Sequence, residues 1–151
     1  MSNNELYDAV IVGGGPAGLT AALYLARARY RVLVVEKDRF GGQITITHEV
    51  VNYPGVEKTS GEALTETMRR QAQNFGAEFL LAEVTDLKLD GDIKSVVTSR
   101  GTLRAFSVMI ATGANPRRVG FNGEDEFRGR GVAYCATCDG EFFTGKELLV
   151  I

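Results

Sequence analysis

Four glycines separate a short apolar segment from a helical one near the beginning of this 151-residue chain. The apolar segment, Tyr7–Val12, has the length and the β-branched content of a buried strand, and Gly13–Gly18 interrupts it. Alanine and leucine then recur at helical spacing over Ala17–Arg29, and a second β-branched run, Arg31–Glu36, follows. A strand, a tight turn, a helix and a strand within about 30 residues predict a βαβ unit, which requires a parallel sheet.

The glycine run fits the pattern G-x-G-x-x-G, in which each glycine has a separate physical task. Gly13 permits the turn, Gly15 lets a pyrophosphate approach the backbone, and Gly18 lets the helix pack closely on the strand. The helix N-terminus adds unpaired N–H groups that attract phosphate. Glu36 ends the second strand, where a carboxylate accepts hydrogen bonds from an adenosine ribose and repels a 2′-phosphate. The alternative is a turn used for packing alone, and the flanking elements together with Glu36 favour a dinucleotide site.

The residues after this unit predict a second helix and a small antiparallel meander. Residues 40–60 are loop-like, and a capping-box pattern at Thr59–Glu62 marks the start of the helix. Short alternating segments joined by glycine turns follow, and then a buried strand. The predicted bounds are Val84–Leu89, Ile93–Thr98 and Thr102–Phe106 for the meander and Ser107–Ala111 for the buried strand. The predicted fold class is α/β and Rossmann-like, with a parallel sheet and an antiparallel β-meander.

Charge and composition exclude several classes of function. Lys and Arg number 17 against 19 Asp and Glu, a formal net charge of −2, whereas nucleic acid or an anionic membrane calls for a strongly basic surface. The uncharged stretch 9–26 approaches the length of a membrane span, but four glycines and a proline interrupt it. No basic segment precedes an apolar run at the N-terminus, so no secretory signal is visible and a cytoplasmic, reducing location is expected.

A second motif, Cys135-Ala136-Thr137-Cys138-Asp139-Gly140, contains both cysteines of the chain. Two thiols at this spacing can close and reopen a disulfide, and Asp139 is placed to carry a proton to or from the departing thiol. A closed zinc site cannot be built, because the only other soft ligand is His48. Two buried structural thiols or a plain structural disulfide would also fit this spacing, and a reducing location disfavours the disulfide. The spacing and the neighbouring dinucleotide motif favour redox chemistry, with no metal site.

Several further strings accompany these two motifs, and together they point to a family. They are Glu36-Lys37, Gly41-Gly42-Gln43, Asn52-Tyr53-Pro54-Gly55, Ala111-Thr112-Gly113 and Gly129-Arg130-Gly131. With them, the sequence resembles the N-terminal part of a bacterial-type, low-molecular-weight thioredoxin reductase, a flavoprotein of the pyridine nucleotide-disulfide oxidoreductase superfamily. The glycine motif alone would indicate only a dinucleotide-binding superfamily. The Cys-Ala-Thr-Cys-Asp-Gly string, placed after Ala-Thr-Gly, is far more selective.

The resemblance implies an FAD site over the first 113 residues. The pyrophosphate would lie on the glycine motif, the ribose on Glu36 and the flavin beside the segment 41–52, with the Ala-Thr-Gly string closing over the cofactor. The implied cofactor-binding residues are Gly13, Gly14, Gly15, Pro16, Ala17, Gly18, Glu36, Lys37, Gly41, Gly42, Gln43, Asn52, Val84, Ala111, Thr112 and Gly113.

The resemblance also implies a path for electrons, from NADPH to FAD, then to Cys135 and Cys138, and then to the disulfide of thioredoxin. Cys138 is the better candidate for the thiol that faces the flavin, the division of roles between the two cysteines staying open, and Asp139 would be the acid–base residue. A homodimer is implied as well. The alternatives are a related flavoprotein (a dithiol oxidase, a peroxiredoxin reductase or a ferredoxin-dependent reductase) and a non-catalytic FAD-binding fragment.

The chain departs from this family in length, since family members are about twice as long. Residues 1–115 are expected to form an FAD-binding domain that lacks its C-terminal segment. Residues 116–151 would contain a connection, the cysteine motif and, at Glu147–Ile151, the first strand of a second, NADPH-type domain. We therefore expect a fragment that is not active alone, with the NADPH contacts in the missing part.

Overall fold

A computed structural model describes residues 5–151. The chain divides into two compact units, Met1–Gly113 and Ala114–Ile151. The sheet and both long helices belong to the first unit, whereas the second contains a short helix α3 (Ala136–Asp139) and a 3-10 helix (Gly140–Phe143). None of the helices formed by residues 5–151 is both long and apolar enough to cross a lipid bilayer.

One sheet organises the first unit and, within residues 5–113, has six strands. They are β1 (Leu6–Val12), β2 (Val32–Glu36), β3 (Glu78–Leu81), β4 (Val84–Lys88), β5 (Lys94–Thr98) and β6 (Gly101–Ile110), in the spatial order β3-β2-β1-β6-β5-β4. Strands β3, β2, β1 and β6 are parallel, whereas β6, β5 and β4 form an antiparallel meander. This mixed sheet confirms the predicted α/β, Rossmann-like fold class.

Helices α1 (Pro16–Arg27) and α2 (Gly61–Asn74) pack on one face of the parallel strands. The apolar cluster on this face consists of Ile11, Ala22, Ala26, Val32, Val34, Ala72 and Ala77. A second apolar cluster includes residues of β1, β2, β3, β5 and β6 and consists of Tyr7, Val10, Leu33, Val35, Leu80, Ala82, Val96 and Ala105. Because both faces of β1 and β2 are buried, these strands are continuous apolar runs in the sequence, as parallel strands typically are.

Strand β6 replaces two strands of the sequence-based prediction, which is wrong at this point. It pairs antiparallel with β5 from Gly101 to Ala105 and parallel with β1 from Arg104 to Ile110. The second half was also predicted to be buried, but Met109 and Ile110 are exposed, Ile110 by 61%. Within the described residues, β5 accompanies only the first half of β6, so the second half has β1 as its neighbour and a partly open surface.

The connection between β2 and α2 and the start of α2 also differ from expectation. A 3-10 helix, Gly42–Ile46, forms inside the predicted loop. The N-cap of α2 is Ser60, whose Oγ accepts a hydrogen bond from Ala63 N at 3.1 Å, and not Thr59 as the capping-box pattern predicts. The cap moves by one residue because a serine directly before the first helical turn already satisfies a free N–H group.

The second unit is a turn-rich segment around a buried carboxylate. Its first part, predicted as a connection, contains successive turns and an isolated bridge between Arg128 and Val132. Glu124 lies inside it and is 4% exposed. Glu147–Ile151, predicted as the first strand of a second domain, pairs with no strand among the described residues, and the assignment stays a prediction.

Candidate active site

The N-terminus of α1 lies directly after β1 and has no side-chain cap. Gly15 is the N-cap residue, Pro16 is the first helical residue, and the first turn contains no acidic side chain. Helix α2, in contrast, has both a capping Ser60 and Glu62 in its first turn. The start of α1 therefore keeps its positive end and its free N–H groups at the carboxyl end of a parallel strand. Such a position is typical of a phosphate site.

The glycines of the motif are required for different reasons. A Cβ on Gly13 would lie 2.2 Å from the carbonyl oxygen of Ala111, and a Cβ on Gly18 would lie 2.0 Å from that of Gly13. Gly13 also has a φ of +110°, which L side chains rarely adopt. A Cβ on Gly15 would meet nothing closer than Gly42 Cα, at 3.8 Å. Packing within the protein thus explains Gly13 and Gly18 but not Gly15, whose open side fits the close approach of a pyrophosphate.

A second glycine pair, Gly41-Gly42, lies against the motif. Gly41 N donates a hydrogen bond to the carbonyl oxygen of Gly14 at 2.8 Å, and a Cβ on Gly42 would lie 3.1 Å from Gly15 Cα. Helix α2 supports the pair, since a Cβ on Gly41 would lie 2.7 Å from Oγ1 of the buried Thr65. The two glycine loops therefore form one edge, which we call the glycine edge: residues 13–18 and 41–42.

Glu36 is held beside the glycine edge by backbone donors. Its Oε2 accepts a hydrogen bond from Gly14 N at 2.8 Å, and its Oε1 accepts from Lys37 N at 2.9 Å and from Asp38 N at 3.2 Å. These three N–H groups fix the orientation of the carboxylate, which has about four acceptor sites in all. The remaining acceptor capacity fits a ribose hydroxyl, whereas a 2′-phosphate would meet a like charge.

The Ala-Thr-Gly string comes to the same edge from β6. Ala111 N donates to the carbonyl oxygen of Val12 at 2.8 Å, and the carbonyl of Ala111 faces Gly13. Thr112 and Gly113 follow and are exposed. The glycine edge, Glu36 and this string are thus brought together, and they fit the pyrophosphate and the ribose of FAD.

The other predicted cofactor residues lie outside the glycine edge. Lys37 reaches it only through its backbone N–H, and its side chain is exposed. Gln43 and Asn52 are exposed on the connection between β2 and α2. Val84 begins β4 and packs against the apolar cluster that contains Val35, the residue before Glu36.

Cys135 and Cys138 form a disulfide in the second unit. Cys135 Sγ accepts a hydrogen bond from Cys138 N at 3.1 Å, and the carbonyl oxygen of Cys135 accepts from Asp139 N at 3.0 Å. Cys135 and Asp139 are half-buried and Cys138 is exposed. The cysteines are therefore close enough for the bond that redox chemistry requires, and an external thiol can reach it.

Glu124 and Tyr134 lie in the same unit as the disulfide, and no sequence motif indicates them. Glu124 Oε1 accepts hydrogen bonds from Val119 N at 3.0 Å and from Tyr134 Oη at 2.5 Å, and its Oε2 accepts from Gly120 N at 2.6 Å. These hydrogen bonds hold the pKa of Glu124 below its ordinary value, and the bond from Tyr134 has the largest effect. The same hydrogen bond raises the pKa of Tyr134. In the sequence, Glu124 belongs to an acidic run of the kind that is usually solvated, so only its contacts reveal it.

The family model of the pyridine nucleotide-disulphide oxidoreductases matches residues 7–151. Because the match extends over nearly all residues, the chain belongs to the pyridine nucleotide-disulphide oxidoreductase family. Within it, a thioredoxin reductase from Peptoclostridium acidaminophilum is 50% identical over 97% of this chain, and one from Bacillus subtilis (strain 168) is 44% identical over 100% of it. The predicted resemblance to thioredoxin reductases is thereby confirmed.

A solved structure agrees with these relatives. The crystal structure of thioredoxin reductase from Streptococcus pyogenes MGAS5005 matches with a TM-score of 0.88 and 43% identity, over 93% of this chain and 46% of that chain. The curated relatives are covered to 47% and 48%. The chain therefore spans about half the length of the curated relatives it matches.

Proposed function

We propose that this chain is part of a flavin-dependent disulfide reductase that uses NADPH to reduce thioredoxin. The observation that carries the proposal is the Cys135–Cys138 disulfide in a chain that also contains the glycine edge. The names of the two relatives described above, both thioredoxin reductases over nearly the same residues, support the choice of thioredoxin as the substrate.

The residues of the first unit would bind FAD as a dinucleotide. The uncapped start of α1 stabilises the pyrophosphate charge, and the open side of Gly15 admits it. Glu36, oriented by three backbone donors, accepts from the ribose. When bound, FAD supplies the two-electron transfer between a nicotinamide and a disulfide.

The thiols of the second unit carry the final exchange. In the reduced pair, one thiolate attacks the disulfide of thioredoxin, forms a mixed disulfide and releases one thioredoxin thiolate. The other cysteine then attacks its neighbour's sulfur, the Cys135–Cys138 bond forms again, and the second thioredoxin thiolate leaves. Asp139, next to Cys138 and half-buried, takes up or returns the proton of a cysteine thiol. Two electrons pass to thioredoxin, and one disulfide is exchanged for another.

Binding of FAD is tested on the 151-residue chain itself. We expect that adding FAD gives a yellow protein with one flavin per chain and a quenched flavin fluorescence. A chain that stays colourless after dialysis against FAD contradicts the claim that these 151 residues alone bind the cofactor. Glu36→Ala is the matched variant: it removes the ribose acceptor together with the partner of Gly14 N, keeps every glycine of the edge, and should bind FAD more weakly.

Activity is tested on a full-length protein that contains this chain. NADPH oxidation coupled to the reduction of thioredoxin should be lost in both Cys135→Ser and Cys138→Ser, while each variant still binds FAD. Turnover that persists in either variant contradicts the proposed thiol exchange. Replacing NADPH by NADH or by reduced ferredoxin identifies the electron donor, and rapid thiol oxidation without thioredoxin would indicate a dithiol oxidase instead.

The remaining parts of the proposal are a homodimer and a cytoplasmic location. A reducing compartment suits a disulfide that must open again in each cycle. Sedimentation of the full-length protein at twice its chain mass is the expected result for the dimer.

A further inference from the structure

The hydrogen bond between Tyr134 and Glu124 joins the cysteine motif to the rest of the second unit. Tyr134 directly precedes Cys135, and its Oη donates to Glu124 Oε1 at 2.5 Å across ten residues of chain. We propose that Glu124 and Tyr134 are positioning residues that hold Cys135 in place for closure of the disulfide. The proposal rests on the proposed function only in treating the disulfide as one that opens and closes.

Glu124 is itself fixed, so it can serve as an anchor. The N–H groups of Val119 and Gly120 donate to its two oxygens, at 3.0 and 2.6 Å, and the side chain is 4% exposed. A buried carboxylate with charge-assisted hydrogen bonds of this kind has little freedom to move. The segment around Glu124 therefore presents one oxygen, Oε1, at a defined position.

Tyr134 is held from two sides. Its hydroxyl is bound to Glu124, and the guanidinium of Arg128 lies 5.5 Å from the centre of its ring. An aromatic side chain has only two rotatable bonds, and the ring and hydroxyl contacts restrict both of them. Since Tyr134 and Cys135 share a peptide bond, restricting the first restricts the backbone of the second.

The anchor formed by Glu124 and Tyr134 should restrict Cys135 more in the reduced dithiol than in the disulfide. A closed Cys135–Cys138 bond already restricts the short loop between the cysteines. In the dithiol that restriction is gone, and the Tyr134 anchor then limits the conformations open to Cys135. Removing the anchor frees the dithiol more than it frees the disulfide, so the equilibrium constant for disulfide formation falls. The reverse also follows, because two coupled equilibria affect each other equally.

A small dithiol provides the measurement without any flavin. One thiolate of dithiothreitol attacks a sulfur of the Cys135–Cys138 bond and gives a mixed disulfide and one free cysteine thiolate. The second dithiothreitol thiol closes its own ring and releases the other cysteine, so two electrons enter the protein and dithiothreitol leaves as the cyclic disulfide. The equilibrium constant is obtained from the fraction of reduced protein over a series of reduced-to-oxidised dithiothreitol ratios.

The test compares Tyr134→Phe with the unchanged 151-residue chain. The variant removes only the hydroxyl and keeps the ring that faces Arg128. We expect the equilibrium constant for disulfide formation to fall about three- to tenfold, a part of what one hydrogen bond to a charged group contributes. Asp125→Asn is the matched control: it breaks the exposed pair between Arg118 and Asp125 in the same segment and should leave the constant unchanged.

Two results would overturn the proposal. One is an equilibrium constant within twofold of wild type in Tyr134→Phe. The other comes from the wild-type chain alone: hydrogen exchange at Val119 N and Gly120 N should accelerate when the disulfide is reduced, and equal protection in both states contradicts the coupling. This second measurement decides the matter if Tyr134→Phe does not fold. A pair that exchanges normally with dithiothreitol but gives no thioredoxin turnover in the full-length protein would count against the proposed function and not against the anchor.

Discussion

Gly15 differs from the other glycines of its motif in what surrounds it. Side chains at positions 13 and 18 would collide with backbone carbonyl oxygens, whereas a Cβ at Gly15 would meet only ordinary van der Waals contact. Its φ of −78° is open to any residue. Nothing among residues 5–151 requires glycine here, so we assign the requirement to the dinucleotide of the proposed function.

Gly15→Ala should therefore weaken the binding of FAD and leave the stability of the apoprotein nearly unchanged. We expect FAD affinity to fall about 10- to 100-fold, because a methyl group would occupy space next to the pyrophosphate. The free energy of unfolding without FAD should change by less than about 1 kcal/mol, the usual effect at an N-cap. Fluorescence titration with FAD and urea unfolding of the apoprotein give the two quantities.

Gly18→Ala is the comparison. Its Cβ would lie 2.0 Å from the carbonyl oxygen of Gly13, so helix and strand must move apart. The expected loss is about 1–3 kcal/mol in the unfolding free energy of the apoprotein. Equal losses of stability in the two variants would show that Gly15 has a packing role after all.

Among single residues, the sequence identifies those candidate site residues that belong to a local pattern. Gly13, Gly18 and Glu36 stand at fixed positions of a βαβ unit, and the two cysteines stand at the spacing of one helical turn. Glu124 could not be found in this way. Its donors are two backbone N–H groups and one distant hydroxyl, and backbone N–H groups occur at every residue.

At the scale of elements, the two helices end in the same motif with different residues. After α1, Arg29 N bonds to the Ala26 carbonyl and Tyr30 N to the Leu25 carbonyl; after α2, Gly76 and Ala77 make the corresponding bonds. This is the pattern of a Schellman motif, which requires a left-handed residue. Gly76 fills that position in α2 at a φ of +101°, and Arg29 fills it in α1 at +71°.

Arg29→Gly should stabilise the chain, because glycine adopts the left-handed region without the steric cost that arginine bears. We expect a gain of about 0.5–1 kcal/mol in the free energy of unfolding, measured with urea. Gly76→Ala is the reciprocal variant and should lose about 1 kcal/mol. A neutral or destabilising Arg29→Gly would mean that the arginine side chain has a compensating contact.

The start of β1 is joined to its neighbours by a cluster of charged groups around a buried phenol. Tyr7, 1% exposed, donates its hydroxyl to Glu78 Oε2 at 3.1 Å, and the Arg31 guanidinium lies 4.5 Å from its ring centre. Arg31 also bonds to Glu78 and to Glu5. Two effects raise the pKa of Tyr7 to about 12: the larger is burial of the phenol, and the second is the negative charge of the Glu78 carboxylate.

Because the pKa of Tyr7 is raised on folding, the free energy of unfolding should decrease at alkaline pH. A phenol whose pKa is higher in the folded state than its ordinary value of 10.0 stabilises the fold fully below pH 10. That contribution is lost as the pH rises towards 12. We expect the difference in unfolding free energy between wild type and Tyr7→Phe to be constant at neutral pH and to shrink over this window. A constant difference up to pH 12 would contradict the raised pKa.

The elements could be predicted where their periodicity is local and not where their neighbours decide them. The βαβ unit follows from apolar runs, helical spacing and glycine. The sequence pattern predicts two strands where β6 is one, because the first half of β6 pairs with β5 and the second half with β1, and local periodicity carries no information on which strand is adjacent. The edge strand β3 has four residues, too few for a clear alternation.

On the scale of the whole molecule, the two units are stabilised by different interactions. All of the buried apolar side chains among the described residues lie before Gly113, the last of them being Ala105. In Ala114–Ile151 the buried side chain is that of Glu124, held by three hydrogen bonds, and a disulfide closes a short loop. Polar contacts and one cross-link supply less cooperativity than a packed core, so the second unit should open without global unfolding.

Acid should expose this difference, because protonation of Glu124 weakens the three hydrogen bonds that its carboxylate accepts. A carboxyl group whose pKa is lowered on folding stabilises the structure above its ordinary pKa, and that contribution disappears as the pH falls through the folded-state value. We expect the exchange protection of Val119 N and Gly120 N to fall on acidification while that of the β1 amides persists.

Protection factors from hydrogen exchange over pH 3–7, corrected for the intrinsic exchange rate, measure both units in one sample. In Glu124→Gln the protection of Val119 N and Gly120 N should be low throughout and show no step with pH, because an amide has no proton to gain in this range. If instead β1 and the Glu124 segment lose protection at the same pH, the two units unfold as one and the second is not an independent structure. A step confined to the second unit would mean that the anchor of the disulfide, unlike the core of the first unit, depends on a single charge.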